Sequence, residues 1–269
     1  MTALPTDRRD FLKSTLLATA AAAAGASAQA AGPGAAARDY YELRAYRLRP
    51  DTDRRVLDAY LEKALIPALH ARGIAAVGVF TEPEAKDGPA VWVLIPHPSL
   101  ESVAAVAASL NADPAMQSAA GDYFAATTKD HPAYERIDSW LLLAFSGLPR
   151  LAVPALRRQG AKRIFELRTY DSFNEVKALK KVEMFNAGEI ELMQQLNLSP
   201  VFYGQALVGR DLPHLTYMLC SPDRETHKKS WEAFFAHPVW LKLKNDPQYA
   251  DTVSKVTSRF LDPLPCSEI

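Results

Sequence analysis

The chain has 269 residues, with 31 Lys+Arg balanced by 31 Asp+Glu and 48% hydrophobic residues. That is the composition of an ordinary globular protein, and it excludes disorder for the bulk of the chain. Zero net charge without a long basic run argues against nucleic acid as a partner, because neutralising phosphates takes a basic surplus.

The chain opens on an address. Asp7-Arg8-Arg9-Asp10-Phe11-Leu12-Lys13 precedes a short, Ala-rich apolar stretch that closes at Ala28-Gln29-Ala30, a small-x-small cleavage site. This reads as a twin-arginine signal peptide over residues 1–30 and not as a membrane span, so no integral membrane segment is expected in the mature protein. Cleavage removes Arg8, Arg9 and Lys13 together with Asp7 and Asp10, so near neutrality persists. Ala31 to Ala37 is a Gly/Ala/Pro-rich lead-in. The expected location is periplasmic or secreted, after export in the folded state.

Residues 40–48 alternate and are rich in Tyr and Leu, which predicts a strand. Thr52 or Asp53 can cap a helix running to Arg72, with Pro67 kinking it or marking its last turn. Strands are predicted at 74–81 and 91–95, a helix from Ser99 to about Leu110, further helix over 114–128, and a strand over 137–145. Residues 148–160, with Pro149, Pro154 and Gly160, read as a linker. The order then repeats: strand 163–170, helix 174–195, strands 199–208 and 213–220, helices 223–235, 238–245 and 248–255, strand 256–261.

The repetition is also one of sequence. Tyr41-Glu42-Leu43-Arg44-Ala45-Tyr46 recurs as Phe165-Glu166-Leu167-Arg168-Thr169-Tyr170, at an offset of 124. The same offset matches Ile66 to Ile190, Pro89 to Pro213 and Pro114 to Pro238, and sets Gly73 against Asn197, both suited to a left-handed helix end. Beyond Pro114 the first copy is longer. Each copy is β-α-β-β-α-β, the ferredoxin-like unit, whose sheet carries helices on one face only. The expected fold is α+β: two tandem halves, 38–147 and 161–264, covering each other sheet to sheet as in a dimeric α/β-barrel. That barrel would be closed within one chain or shared with a second.

Alternation on the first strand of each copy separates Tyr41, Leu43 and Ala45 from Glu42, Arg44 and Tyr46, and Phe165, Leu167 and Thr169 from Glu166, Arg168 and Tyr170. The apolar sets are expected to face the helices. The Glu/Arg/Tyr sets then point into the barrel as a candidate pocket, with Arg a fork for an anion, Tyr a donor and Glu a base. The competing reading is a buried Glu–Arg pair that fixes sheet packing. The six histidines show no H-x-x-x-H spacing and are read as surface or capping residues, with no metal site; a single haem ligand stays open. Trp231, Phe234, Phe235 and Trp240 read as core packing, or as a surface for stacking a ligand. Cys220 and Cys266 are either a disulfide or two free thiols. No G-x-G-x-x-G, P-loop or G-x-S-x-G motif occurs.

The two E-L-R-x-Y strands, Pro200-Val201-Phe202-Tyr203-Gly204, Leu215-Thr216-Tyr217-Met218-Leu219, Trp231-Glu232-Ala233-Phe234-Phe235, Pro238-Val239-Trp240 and Phe260-Leu261-Asp262-Pro263-Leu264 together resemble NIPSNAP domains. The first copy departs from that pattern: Gly78-Val79-Phe80 replaces the aromatic-Gly element, and Ala107 stands where the second copy has Trp231. The resemblance implies a dimeric α/β-barrel fold and little chemistry. With no recognisable catalytic constellation beside it, the expected role is that of a small-molecule or protein binding module of unassigned activity, with a homodimer open. The alternative it leaves is a haem-handling or cofactor-independent oxidoreductase or monooxygenase-like enzyme using the barrel pocket; haem and flavin are both undecided.

Overall fold

The computed structural model describes residues 37–125 and 127–269; the signal peptide and nearly all of the lead-in lie outside the described residues. Eight strands close into one antiparallel barrel: β1 (Tyr40–Arg47), β2 (Gly78–Thr81), β3 (Ala90–His97), β4 (Arg136–Ala144), β5 (Ile164–Asp171), β6 (Pro200–Val208), β7 (His214–Ser221) and β8 (Lys255–Pro263). Around the barrel they run β1-β3-β2-β8-β5-β7-β6-β4, with β4 returning to β1. Each half therefore contributes one four-stranded sheet, and the barrel is closed within a single chain. The two seams are unequal. β4 and β6 pair from Leu141–Val208 to Ala144–Gly204, whereas β2 and β8 meet only at Phe80–Pro263 and Thr81–Asp262. Residues 264–269 reinforce the short seam: Leu264 N–H donates to Val79 O, Glu268 N–H to Val77 O, and Ile269 is fully buried.

The helices lie outside. The first half carries α1 (Arg55–Tyr60), a π-helical turn (Leu61–Leu65), α2 (Ile66–His70), α3 (Leu100–Ser109), α4 (Pro114–Ala120) and α5 (Asp122–Ala125). A short α6 (Ala155–Arg158) lies in the linker. The second half carries α7 (Glu175–Met184), a π-helical turn (Phe185–Glu189), α8 (Ile190–Gln195), α9 (Arg224–Ala236) and α10 (Pro238–Lys244). The 124-residue register survives at the caps. Ser99 accepts from Ser102 N–H as Asp223 does from Thr226 N–H, and Asp113 and His237 cap α4 and α10. Gly73 and Asn197 end their helices at φ 82° and 61°. The π turn recurs in both halves. Pro67 follows it in the first, yet the second has Glu191 at that position, so the proline is not its cause.

Three apolar clusters hold the layers together. The barrel interior is filled by Tyr41, Leu43, Ala45, Phe80, Trp92, Leu94, Phe165, Leu167, Phe202, Met218 and their neighbours. One outer cluster packs Tyr46 with α1, α2, α3 and α4; the other packs Tyr170 with α8 and α9. This reverses the expected facing of β1 and β5: the apolar set enters the barrel, and Glu42, Arg44, Tyr46, Glu166, Arg168 and Tyr170 look outward at the helices. A closed eight-stranded barrel leaves an interior just wide enough for side chains, and these strands fill it with apolar groups. Both faces of each strand are covered, so alternation separates the two sets without saying which is inside. A second correction concerns 248–255. That segment is not a helix: a single 3-10 turn (Pro247–Tyr249) is capped by Asp246, Asp251 turns left-handed at φ 55°, and β8 begins at Lys255.

Candidate functional site

The second half shows how the outward-facing set is normally covered. Arg168 Nη1 donates to Glu166 Oε1 at 2.7 Å and Nη2 to the Tyr170 hydroxyl at 3.2 Å. From α9, His227 Nε2 lies 2.7 Å and Trp231 Nε1 2.9 Å from Glu166 Oε2, and Ser258 on β8 donates to Oε1. The indole of Trp231 lies over the Arg168 guanidinium, 4.6 Å from its carbon, and closes the site. Glu166 and His227 are each 3% exposed. Burial alone would raise the Glu166 pKa. The hydrogen bond from His227, the charge of Arg168 and the Ser258 hydroxyl outweigh it and bring the carboxyl down to about 2. Ser221 Oγ lies 2.8 Å from His227 Nδ1, giving a Ser–His–Glu chain. Ser221 is only 1% exposed, so the chain is a packing device and offers no nucleophile to solvent.

The first half repeats the pair and omits the cover. Arg44 Nε and Nη2 donate to the two oxygens of Glu42 at 2.6 and 2.8 Å, and Ser139 Oγ donates to Oε1 at 3.2 Å. Here burial is again outweighed, by His97 and Arg44, and Glu42 is held at about 2. At the position of Trp231 stands Ala107. In the space this leaves is a cavity of about 660 Å3, lined by Glu42, Arg44, Tyr46, Ala107, Ser139 and residues of the longer first-copy segment, Tyr123, Phe124 and Tyr134 among them. Tyr60 stacks on Tyr123 with ring centroids 3.7 Å apart, and Tyr134 meets Tyr46 edge-on at 5.5 Å. Burial raises the pKa of Tyr46, Tyr60 and Tyr123, so all three stay neutral. Each strand triplet is thus brought together, but Arg44 and Arg168 lie on opposite outer faces and share no cavity.

The histidines are less peripheral than expected. His70 is exposed beside Glu268 and His237 is a cap, but His97, His214 and His227 are 0%, 4% and 3% exposed. His97 ends β3, and its equivalent at the end of β7 is Ser221. In the second half the imidazole moves to α9 and the hydroxyl to the strand, while in the first His97 Nδ1 lies 3.2 Å from Ser102 Oγ on α3. Strand and helix have exchanged partners, and in both halves Nε2 faces the glutamate. The first-half contact is looser: His97 Nε2 lies 3.6 Å from Glu42 Oε2 and has no hydrogen-bond partner. Comparing the copies for matching histidines misses this exchange. Ala107, and the longer first copy with its two tyrosines, were the available signals for the cavity.

A second, smaller opening lies at one mouth of the barrel. It holds about 270 Å3 and is lined by Trp92 and Trp140 on one side and Thr169, Thr216 and Thr257 on the other. Arg210 and Arg259 sit over Trp140 and Trp92, and both are neutralised, by Asp138 and by Glu82 with Asp87. Gly209 is required here: a Cβ would come within 2.2 Å of the Trp140 ring. Among the described residues no group of three or more His, Cys, Asp or Glu is placed to hold a metal. Among the described residues the outer cavity is lined by no His, Cys or Met, so axial ligation of a haem would fall to tyrosine; a histidine-ligated haem does not fit it. Cys220 lies in the barrel core and Cys266 in the tail, both unpaired, with burial pushing their thiols up to about 12 and about 11.

Two ferredoxin-like halves closed into one barrel define a protein of the dimeric α/β-barrel type. Two solved structures carry that fold at low identity: a "Putative monooxygenase" from Fusobacterium nucleatum subsp. nucleatum (TM-score 0.53, 9% identity, 85% of this chain and 93% of that one) and another so named from Lactobacillus acidophilus NCFM (TM-score 0.51, 6% identity, 84% and 94%). A NIPSNAP family protein with unknown function from Agrobacterium tumefaciens str. C58 is 17% identical over 38% of this chain and 88% of its own, with a TM-score of 0.35. More particularly, residues 165–268 match the NIPSNAP family and residues 5–25 the twin-arginine translocation pathway signal sequence. The NIPSNAP match thus falls on the second half, and the signal sequence supports export by the twin-arginine route. No curated protein matches its sequence. Among the described residues no helix is long and apolar enough to cross a membrane.

Proposed function

We propose that the mature protein, delivered folded to the periplasm, is a small-molecule binding protein whose ligand lies against Glu42 and Arg44 in the first half. The observation that carries this is the cavity of about 660 Å3 at the position Trp231 fills in the second half. Its size falls within the roughly 300–1,000 Å3 usual for ligand sites, whereas the barrel mouth is smaller and the two arginines over its tryptophans are paired. The electrostatics weigh for binding over catalysis. A carboxylate held at about 2 is a poor base near neutrality, and a Tyr46 hydroxyl raised by burial is a poor acid.

The rival reading, a haem- or flavin-bearing or cofactor-independent oxidoreductase, draws on the names of the two barrel neighbours, whose likeness is one of fold. Protein purified from its native periplasm separates the two. A colourless preparation that releases a small molecule on denaturation, with none released from Ala107→Trp, is the expected result. A stoichiometric Soret or flavin band overturns the binding reading in favour of the enzyme. A homodimer draws support from Phe173, Val176 and Leu179, spaced three apart and 66%, 69% and 53% exposed, and sedimentation reads it directly.

A further inference from the structure

The second half also describes the missing occupant of the first. Trp231 does three things there: it covers the guanidinium of Arg168, donates one N–H to Glu166 Oε2 at 2.9 Å, and fills the space under α9. The equivalent carboxylate oxygen, Glu42 Oε2, accepts from Arg44 Nη2 and faces the unpartnered Nε2 of the fully buried His97 at 3.6 Å. The caps at Ser99 and Asp223 hold α3 and α9 in one register, so Ala107 lines the cavity where the indole would enter. We infer that the first-half cavity takes a planar aromatic ligand bearing an N–H or O–H donor. Its ring lies on Arg44, its donor reaches Glu42, and its outer edge packs against Tyr60, Tyr123 and Tyr134. This rests on the cavity being the ligand site. The cavity is larger than one indole, so the natural ligand extends beyond the ring, toward Thr127, Glu135 and Arg136 at the rim.

The probes are indole, which has the donor, and 1-methylindole and toluene, which lack it. Binding is read by calorimetry on the mature chain and on Ala107→Trp, whose new side chain copies Trp231. The wild-type protein is expected to bind indole at least tenfold more tightly than 1-methylindole, because 1-methylindole cannot make the charge-assisted hydrogen bond to Glu42. Ala107→Trp is expected to keep its circular dichroism spectrum and to lose all binding. Equal affinity for indole and 1-methylindole overturns the assignment of a donor to Glu42 while leaving the cavity as a ligand site. Failure of all three probes on the wild-type chain, or indole binding that survives in folded Ala107→Trp, overturns the ligand site itself. Should Ala107→Trp not fold, the ratio of indole to 1-methylindole affinity in the wild-type chain decides the inference alone.

Discussion

Glu42 and Glu166 occupy one position in two copies, yet their surroundings make them energetically different. The Glu166 side chain is 3% exposed and that of Glu42 17%, beside an open cavity. Replacing Glu166 with Gln leaves Arg168 buried without its counter-charge and is expected to cost about 3–5 kcal/mol, the usual penalty for breaking a buried pair. Glu42→Gln costs less, because Glu42 itself is part-exposed beside the cavity while the two arginines are alike at 15% and 16% exposed; urea unfolding of both variants measures the difference. The pH dependence follows from direction. Both carboxyls fall from an ordinary value near 4.5 to about 2 on folding. The stabilisation is present in full above the unfolded value and is lost as pH drops through the folded one. Urea midpoints are therefore expected to fall between about pH 4.5 and 2, and to fall less steeply in the double Gln variant. These residues were legible in the sequence, because the repeat singles them out. The face they occupy was not, since each strand is buried on both sides. Nor was the help they receive from His97, His227 and Ser258, which only the sheet and helix packing brings together.

At the scale of elements, the two π-turn helices make a natural experiment. Lys181 on α7 and Glu189 at the end of the second π turn pair at 2.5 Å, 4% and 2% exposed, with the ammonium against Phe185, Tyr170 and Trp240. Burial raises the Glu189 pKa against the pull of Lys181. In the first half the same positions are Leu57 and Leu65, both fully buried. The fold therefore accommodates either solution. Lys181→Leu or Glu189→Leu alone is expected to cost about 3–5 kcal/mol, while the double Leu variant regains wild-type stability or exceeds it by about 1–4 kcal/mol, as buried pairs replaced by apolar groups often do. A double-mutant cycle in guanidinium reads the coupling. The cap of α3 was clear from Ser99, whereas α1 starts after Arg54, which makes no side-chain cap, instead of after Thr52 or Asp53; helix positions were clear from periodicity. The π turns were not, because the apolar pattern of one continuous helix hides a single widened turn. The false helix at 248–255 arose from composition that Asp246 and Asp251 override with a cap and a left-handed residue.

For the whole molecule, one barrel replaces what would otherwise need two chains. The sheet formed by β8, β5, β7 and β6 turns Phe165, Leu167, Phe202, Met218 and Leu261 toward its opposite number. Produced alone, residues 161–269 are expected to dimerise and rebuild a barrel from two copies, which light scattering after gel filtration would show; a stable monomer would mean that the inner face can be buried in some other way. The tandem halves and the sheet-on-sheet closure were readable from the 124-residue offset. That the barrel closes within one chain was not, because the same repeat serves equally well between two.

The narrow seam between β2 and β8 also sets an order of events. Its partners, such as Thr81 and Asp262, are separated by 181 positions, so the barrel cannot close until β8 has left the ribosome. The export signal, by contrast, is the first part to emerge. The address is therefore on display long before there is a finished cargo behind it. For a route that accepts folded proteins, pairing of β8 with β2 is the step that completes the cargo, with Ile269 seated among the barrel side chains.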